Sequence, residues 1–258
     1  MMSGAAGCGN RETDAEKRTQ TDTPGDRGPL KGADMENIEK DTFSTSEGSL
    51  EISFVGHGTL LVEFKGRTIH IDPYSGVADY SCMPEADIIF ITHHHHDHLD
   101  PEALKHIVKK DTVTVCSRLC SEKTGSGIVM ENGDVRDTQG IKTEAVPAYN
   151  IKQTRGNGEP FHVKGEGNGY ILTFGDTRVY VAGDTENIPE MKQIKDIDIA
   201  FLPMNLPYTM TPETAADAAL TIKPKILYPY HFGETDTSQL VTLLKDSPEI
   251  EVRIRDLQ

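Results

Sequence analysis

From Ser49 onward, short apolar runs alternate with turn signals, and the hydrophobic period shifts along the chain. Leu50–Val55 and Thr59–Phe64 read as strands, and Lys65-Gly66 turns the chain into Arg67–Ile71, a hairpin. Asp87–Ile91 is almost continuously apolar, the pattern of a strand covered on both faces. Asp100-Pro101-Glu102 then offers an N-cap, a proline at the first helical position and an acidic first turn, which predicts a helix to about Lys110. Thr112–Val115 is the next predicted strand. A second hairpin, Gly169–Phe174 and Arg178–Ala182, turns at Gly175-Asp176-Thr177. Beyond it the pattern predicts a buried strand at Ile197–Leu202, a helix from Thr211-Pro212-Glu213 through Ile222, and a strand at Lys225–Tyr230. A helix at Thr237–Lys245 and a last strand at Glu251–Ile254 complete an α/β domain.

Residues 1–48 look different. They are rich in Gly, Thr, Asp, Glu and Lys and poor in large apolar side chains, so burial cannot offset the entropy of ordering them. The expectation is a disordered tail over 1–48 and one folded domain over 49–258. Ala6-Gly7-Cys8 resembles the end of a bacterial lipoprotein signal. A plain tail with a chance cysteine is the favoured reading, so the location reads as cytoplasmic, or as periplasmic and lipid-anchored through Cys8 if the true start lies upstream.

The formal net charge of −15 repels phosphate backbones, and the chain has no tryptophan and only 6% aromatic residues for base stacking. No nucleic-acid partner is expected. No apolar run approaches the roughly 20 residues of a membrane span, so no transmembrane segment is expected either. Cys8, Cys82, Cys116 and Cys120 form no C-x-x-C pair, and buried reduced thiols are the favoured reading.

One echo runs through the chain. Gly58–Asp72 and Gly169–Asp184 each read as a hairpin that ends in an aspartate after a strand. Two similar halves facing each other would bring both aspartates to a shared cleft; hairpins that merely look alike are the other reading.

The densest chemistry follows the Asp87–Ile91 run, where Thr92–Asp100 reads T-H-H-H-H-D-H-L-D. It contains H-x-H-x-D-H: His93, His95, Asp97 and His98. Neutral imidazole and carboxylate suit zinc and its borderline neighbours. In extended backbone His93 and His95 point to one side, whereas Asp97 and His98 lie where the chain turns toward its helix. Two metals a few ångströms apart are the natural outcome, with His94 and His96 pointing away. Asp184, in A-G-D-T, and His231, in H-F-G, each follow a strand and gain weight from their order behind this motif.

This combination resembles the metallo-β-lactamase superfamily over most of residues 49–258. Within it, G-H-G-T at Gly56–Thr59, I-D-P at Ile71–Pro73 and Y-T-M-T at Tyr208–Thr211 look similar to the metal-dependent hydrolases related to ascorbate-6-phosphate lactonase. The resemblance implies a four-layer αβ/βα sandwich and two divalent metal ions, zinc or manganese. His93 and His95 would bind the first metal. Asp97, His98 and His231 would bind the second, Asp184 would bridge, and Asp72 would orient a ligand from behind. Metal-activated water would cleave a small ester, lactone or phosphodiester, with Asp97 as general base. One departure stands out: Asn150 occupies the place where the family supplies a third histidine to the first metal. On this reading Asn150→His would tighten that metal. His162, twelve residues on, is open to three roles: filling the place, contacting substrate or protonating the leaving group. His57 is weighed as structural more than functional. The partner is a small-molecule substrate, plausibly anionic because the Asn150–Asn168 loop carries Lys152, Arg155 and Lys164. A homo-oligomer, an RNA-processing nuclease of the same superfamily and a non-catalytic metal-binding sensor remain open alternatives.

Overall fold

A computed structural model of the chain describes residues 38–257. The apolar runs form two seven-stranded sheets. The first contains β1 (Lys40–Thr45), β2 (Gly48–Gly56), β3 (Thr59–Phe64), β4 (Arg67–Ile71), β5 (Ala86–Phe90), β6 (Val108–Cys116) and β7 (Ile128–Val129), in that order. The second contains β8 (Val135–Thr138), β9 (Ile141–Ala148), β10 (Gly167–Phe174), β11 (Thr177–Val181), β12 (Ile199–Pro203), β13 (Ile226–Tyr230) and β14 (Glu251–Val252). Four helices flank them: α1 (Pro101–Ile107), α2 (Arg118–Thr124), α3 (Pro212–Ile222) and α4 (Ser238–Leu243).

Both sheets follow one plan. Their opening strands pair antiparallel, β1 to β4 in one and β8 to β11 in the other. Their closing strands pair parallel, β4 to β7 and β11 to β14. The hairpin β3–β4 therefore corresponds to β10–β11, and the echo in the sequence is a repeat in the fold. The sheets pack face to face through aromatic rings. Phe54 lies 5.1 Å from Tyr228, Phe64 lies 5.2 Å from Phe174, and Phe90 lies 5.4 Å from Tyr170, centroid to centroid. In β5, Ile88 and Phe90 join this central core, while Ile89 joins a second cluster with Ala103 and Ile107 of α1. A strand buried on both faces has no reason to alternate polar and apolar residues, which explains its continuous run. The result is a helix–sheet–sheet–helix sandwich, as expected.

Three expectations need correction. The domain begins before Ser49, because β1 lies within the segment assigned to the tail and pairs with β2 from Lys40 to Thr45. An edge strand with one solvated face needs few apolar residues. Phe43 packs on the core, and Asp41 takes the Arg255 guanidinium at 2.9 Å. The tail before residue 38, Cys8 included, lies outside the described residues. Second, α1 stops at Ile107, short of Lys110, because Val108 pairs with Ala86 and opens β6. Third, β9 went unassigned although it is eight residues long. Cys116 and Cys120 are buried free thiols. Among the described residues no helix is long and apolar enough to cross a membrane.

His70 on β4 gives the fold a pH dependence of its own. It is fully buried, its Nε2–H donates to Pro84 O at 3.0 Å, and its Nδ1 has no partner. Burial pushes its pKa down from 6.5 to about 4. The ring stays neutral in the fold but takes a proton when unfolded, so stability is full above pH 6.5 and falls as the pH drops toward 4. The stability lost across that range is about 3 kcal/mol. In chelator-treated protein, denaturant titrations between pH 7 and 4 should show a slope shallower by about one proton in His70→Gln. Equal slopes would remove His70 as the cause.

Candidate metal centre

The candidate residues arrive from both halves of the fold at the C-terminal ends of the parallel strands. Asp72 follows β4, and Thr92 and His93 follow β5; Asp184 follows β11 and His231 follows β13. The histidine loop is held at both ends. Asp72 accepts hydrogen bonds from Thr92 N at 2.7 Å and Thr92 Oγ1 at 2.6 Å. Asp100 caps α1 through Glu102 N and also accepts from Ser75 N at 2.8 Å. Backbone conformation is strained here: His57, Asp72 and His231 have φ of 55°, 46° and 44°. Left-handed backbone at a residue with a Cβ costs about 1–2 kcal/mol, and such strain tends to cluster at functional sites.

Three groups of side chains converge closely enough to hold a cation. One comprises His93, His95 and His162; another His57, Asp97, His98 and His231; the third His93, His98 and Asp184. Within each group the ligand atoms lie within 4.8 Å of one another. Asp184 sits between the first two. Its Oδ2 is 3.1 Å from His162 Nε2 and 3.6 Å from His231 Nε2, and its Oδ1 is 3.5 Å from His98 Nε2. The rings of His98 and His231 stack at 5.0 Å. Gly58 backs this pair, since a Cβ there would lie 3.0 Å from His98 Cε1 and 3.4 Å from His231 Cδ2.

Every site residue expected from the sequence is thus present in one cluster: His93, His95, Asp97, His98, His162, Asp184 and His231. His94 and His96 stand apart from these groups, and His96 is exposed. Two features differ from the expectation. Asn150 does not face the centre as a vacant ligand position. Its Oδ1 accepts from His162 N and from His162 Nδ1, both at 2.7 Å, and its own N–H donates to His162 O at 2.9 Å. Asn150 Nδ2 donates to Tyr208 O at 2.8 Å. The amide thereby holds the Nδ1–H tautomer of His162 and turns Nε2 inward. The loop that carries it is pinned by Glu186, whose carboxylate accepts from the N–H groups of Ile151, Lys152 and Gln153. The other feature is His57, read as structural. Its Nε2 lies 3.0 Å from Asp97 Oδ2, and its ring is 3.8 Å from that of His231. The G-H-G-T motif was its only local signal.

The electrostatics leave the lone pairs of His93 and His95 free, whereas His98 must give up a proton to a cation. Burial and neighbouring imidazoles hold His93 well below 6.5 and His95 at about 4. Burial alone would raise Asp184 and Asp97, but the facing histidines outweigh it and lower both. For His98, burial works downward, yet Asp184 and Asp72 prevail and raise it to about 9. Its Nδ1 lies 2.8 Å from Asp72 Oδ2, while its Nε2 has no hydrogen-bond partner. The same holds for His162 Nε2, His231 Nε2 and Asp184 Oδ1, all buried. Four orphaned polar atoms aimed at one another would be costly in a finished core. Divalent cations satisfy them, so the donor set fits the metals the motif implies.

Comparison with known proteins agrees. The family model of the β-lactamase superfamily domain matches residues 51–231. The chain belongs to this superfamily. Its relatives include a UPF0173 metal-dependent hydrolase of Lysinibacillus sphaericus, 31% identical over 219 residues, covering 79% of this chain and 96% of that protein. A crystal structure from Parabacteroides distasonis, assigned by name to the metal-dependent hydrolases, is 51% identical with a TM-score of 0.82, covering 86% of this chain and all of that one. Igni18, a metallo hydrolase of Ignicoccus hospitalis, shares the fold at 23% identity and a TM-score of 0.66, covering 81% of this chain and 96% of that one. The protein is accordingly a metal-dependent hydrolase of the metallo-β-lactamase superfamily.

Proposed function

We propose that this hydrolase holds two divalent cations, zinc or manganese, and cleaves a small ester, lactone or phosphodiester. The observation that carries the proposal is the convergence of unpartnered Nε2 atoms from His98, His162 and His231 on Asp184, a carboxylate with one oxygen unpaired. His93, His95 and His162 would hold the first cation, and Asp97, His98 and His231 the second, with Asp184 shared. His57, beside Asp97, would complete or orient the second set. The motif likeness to ascorbate-6-phosphate lactonase adds lactones to the substrate classes worth testing.

Bound there, the cations would supply a water acidified to a pKa of about 7 and polarisation of the scissile group. The chain's own residues do the rest. Asp97 accepts the water's proton while His57, 3.0 Å from its Oδ2, keeps the carboxylate oriented. Asp72 fixes the His98 ring through Nδ1, and Asn150 does the same for His162, as outer partners of metal-binding histidines do. Tyr208, exposed and with its ring 4.9 Å from that of Phe161, would be the candidate to protonate a leaving oxygen.

The test is elemental analysis of zinc- and manganese-reconstituted protein, followed by a panel of esters, lactones, phosphodiesters and RNA. Two equivalents of metal with turnover of a small substrate are expected. Metal without turnover of any substrate would make the protein a sensor, RNA cleavage alone would make it a nuclease, and absence of metal would sink the reading.

A further inference from the structure

We infer that the cleft of about 870 Å³ beside the metal centre, between the histidine loop, α1 and α2, is a subsite for a negatively charged, partly apolar arm of the substrate. This deepens the hydrolase reading and rests on it. His94 and His95 line both this cleft and the small cavity at His93, His162 and Asp184. The cleft therefore adjoins the metal centre across His94 and His95, within reach of an arm of a molecule whose scissile bond lies at the centre. The volume suits a small-molecule pocket.

The lining decides the chemistry. The net charge is −15, yet among the described residues no aspartate or glutamate lines the cleft, whereas Lys105, Lys123 and Arg155 do. Lys105 has a partner in Glu102 at 3.6 Å, both largely exposed. Among the described residues, Lys123 and Arg155 make no ion pair with a carboxylate. They approach the His94–His95 segment, Lys123 Nζ at 3.5 Å from His94 O and Arg155 Nη2 at 3.5 Å from His95 Nε2. Arg155 is also held in place, with its guanidinium 5.1 Å from the Phe161 ring and donating to Phe161 O at 3.2 Å. Two cations without counter-charges in an acidic protein are a receptor for an anion.

One wall is apolar, made by Leu99, Pro101, Leu104 and Val108, the last 49% exposed, while Thr114, Thr124 and Ser126 add hydroxyl groups elsewhere in the lining. A site for inorganic phosphate alone has no use for that wall, and a site for a neutral apolar group has no use for Lys123 and Arg155. The occupant that satisfies both is an organic anion, a carboxylate or phosphate on an aliphatic or aromatic stem.

Three probes separate these contributions: 4-phenylbutyrate, 3-phenylpropylphosphonate and neutral 4-phenylbutanol. Their Kd values are measured by calorimetry on metal-loaded full-length protein, on the same protein after chelation, and on the double variant K123Q/R155Q. At least one anion should bind about tenfold or more tightly than the alcohol, and this preference should survive chelation. The double variant should lose most of the preference while keeping its metal content and its affinity for the alcohol. The tighter of the two anions identifies carboxylate or phosphate as the natural group. Undiminished anion binding by K123Q/R155Q, or a preference that vanishes on chelation, would place the anion on the metals and overturn the subsite while leaving the hydrolase reading intact. If the protein takes up no metal but the charge preference still depends on Lys123 and Arg155, the subsite stands and the hydrolase reading falls.

Discussion

Asp184→Asn is expected to lower kcat by about a thousandfold or more and to leave the protein short of one metal equivalent. Asp184 is 5% exposed, and its carboxylate touches Nε2 of His162, His98, His231 and His93 at 3.1, 3.5, 3.6 and 4.0 Å. Among the described residues no other carboxylate lies within 4 Å of ring nitrogens from both groups of histidines. The amide is nearly isosteric, so the fold should survive, but it removes the negative charge that would offset two divalent cations. The metal-free variant should be less stable than the metal-free parent at neutral pH, because the facing histidines hold the Asp184 carboxylate well below the usual range and the amide removes one partner of that buried set. Paired measurements of kcat, metal stoichiometry and thermal unfolding check this. Full metal content together with full activity would rule out a shared ligand.

Asn150→Ala should weaken metal binding at the His93–His95–His162 group by about 10–100-fold, with a comparable fall in activity at limiting metal. The Asn150 side chain is taken up by hydrogen bonds, its Oδ1 accepting from His162 and its Nδ2 donating to Tyr208 O. It acts through His162, whose Nδ1–H it accepts at 2.7 Å and whose backbone it binds in both directions. Without it the imidazole can rotate or change tautomer, and Nε2 is no longer presented. Asn150→Asp keeps the acceptor for Nδ1–H and should restore most of the affinity. Asn150→His, which the sequence reading expected to tighten the first metal, should weaken it, because the new ring displaces the clamp. Competition against a chelator, read beside kcat and KM, separates these outcomes. Unchanged metal affinity in Asn150→Ala would mean that the loop alone positions His162.

The two positions show how unevenly the site was written into the chain. His93, His95, Asp97 and His98 were legible because two-residue spacing after a strand sets side-chain direction locally. Asp184 and His231 were legible through their order behind that motif and through the hairpin repeat. His162 was visible only as one of several options. Its place depends on a loop closed by Glu186 from 33 to 35 residues away and by Tyr208 from 58 residues away. His57 was undervalued for the same reason: its left-handed backbone and its contact with His231, across the sandwich, leave no periodic trace. The edge strand β1 escaped because a strand with one solvated face carries little hydrophobic signal.

Local order therefore determined the strand and helix menu, the two matching halves and the identity of the metal-binding residue types, since these follow from side-chain period, capping and donor chemistry within a few residues. Tertiary structure decided which histidine joins His93 and His95, what Asn150 does, and where an uncompensated pair of cations meets an apolar wall. Those outcomes depend on hydrogen bonds and packing between segments far apart in the chain, whose closure no short window of sequence encodes.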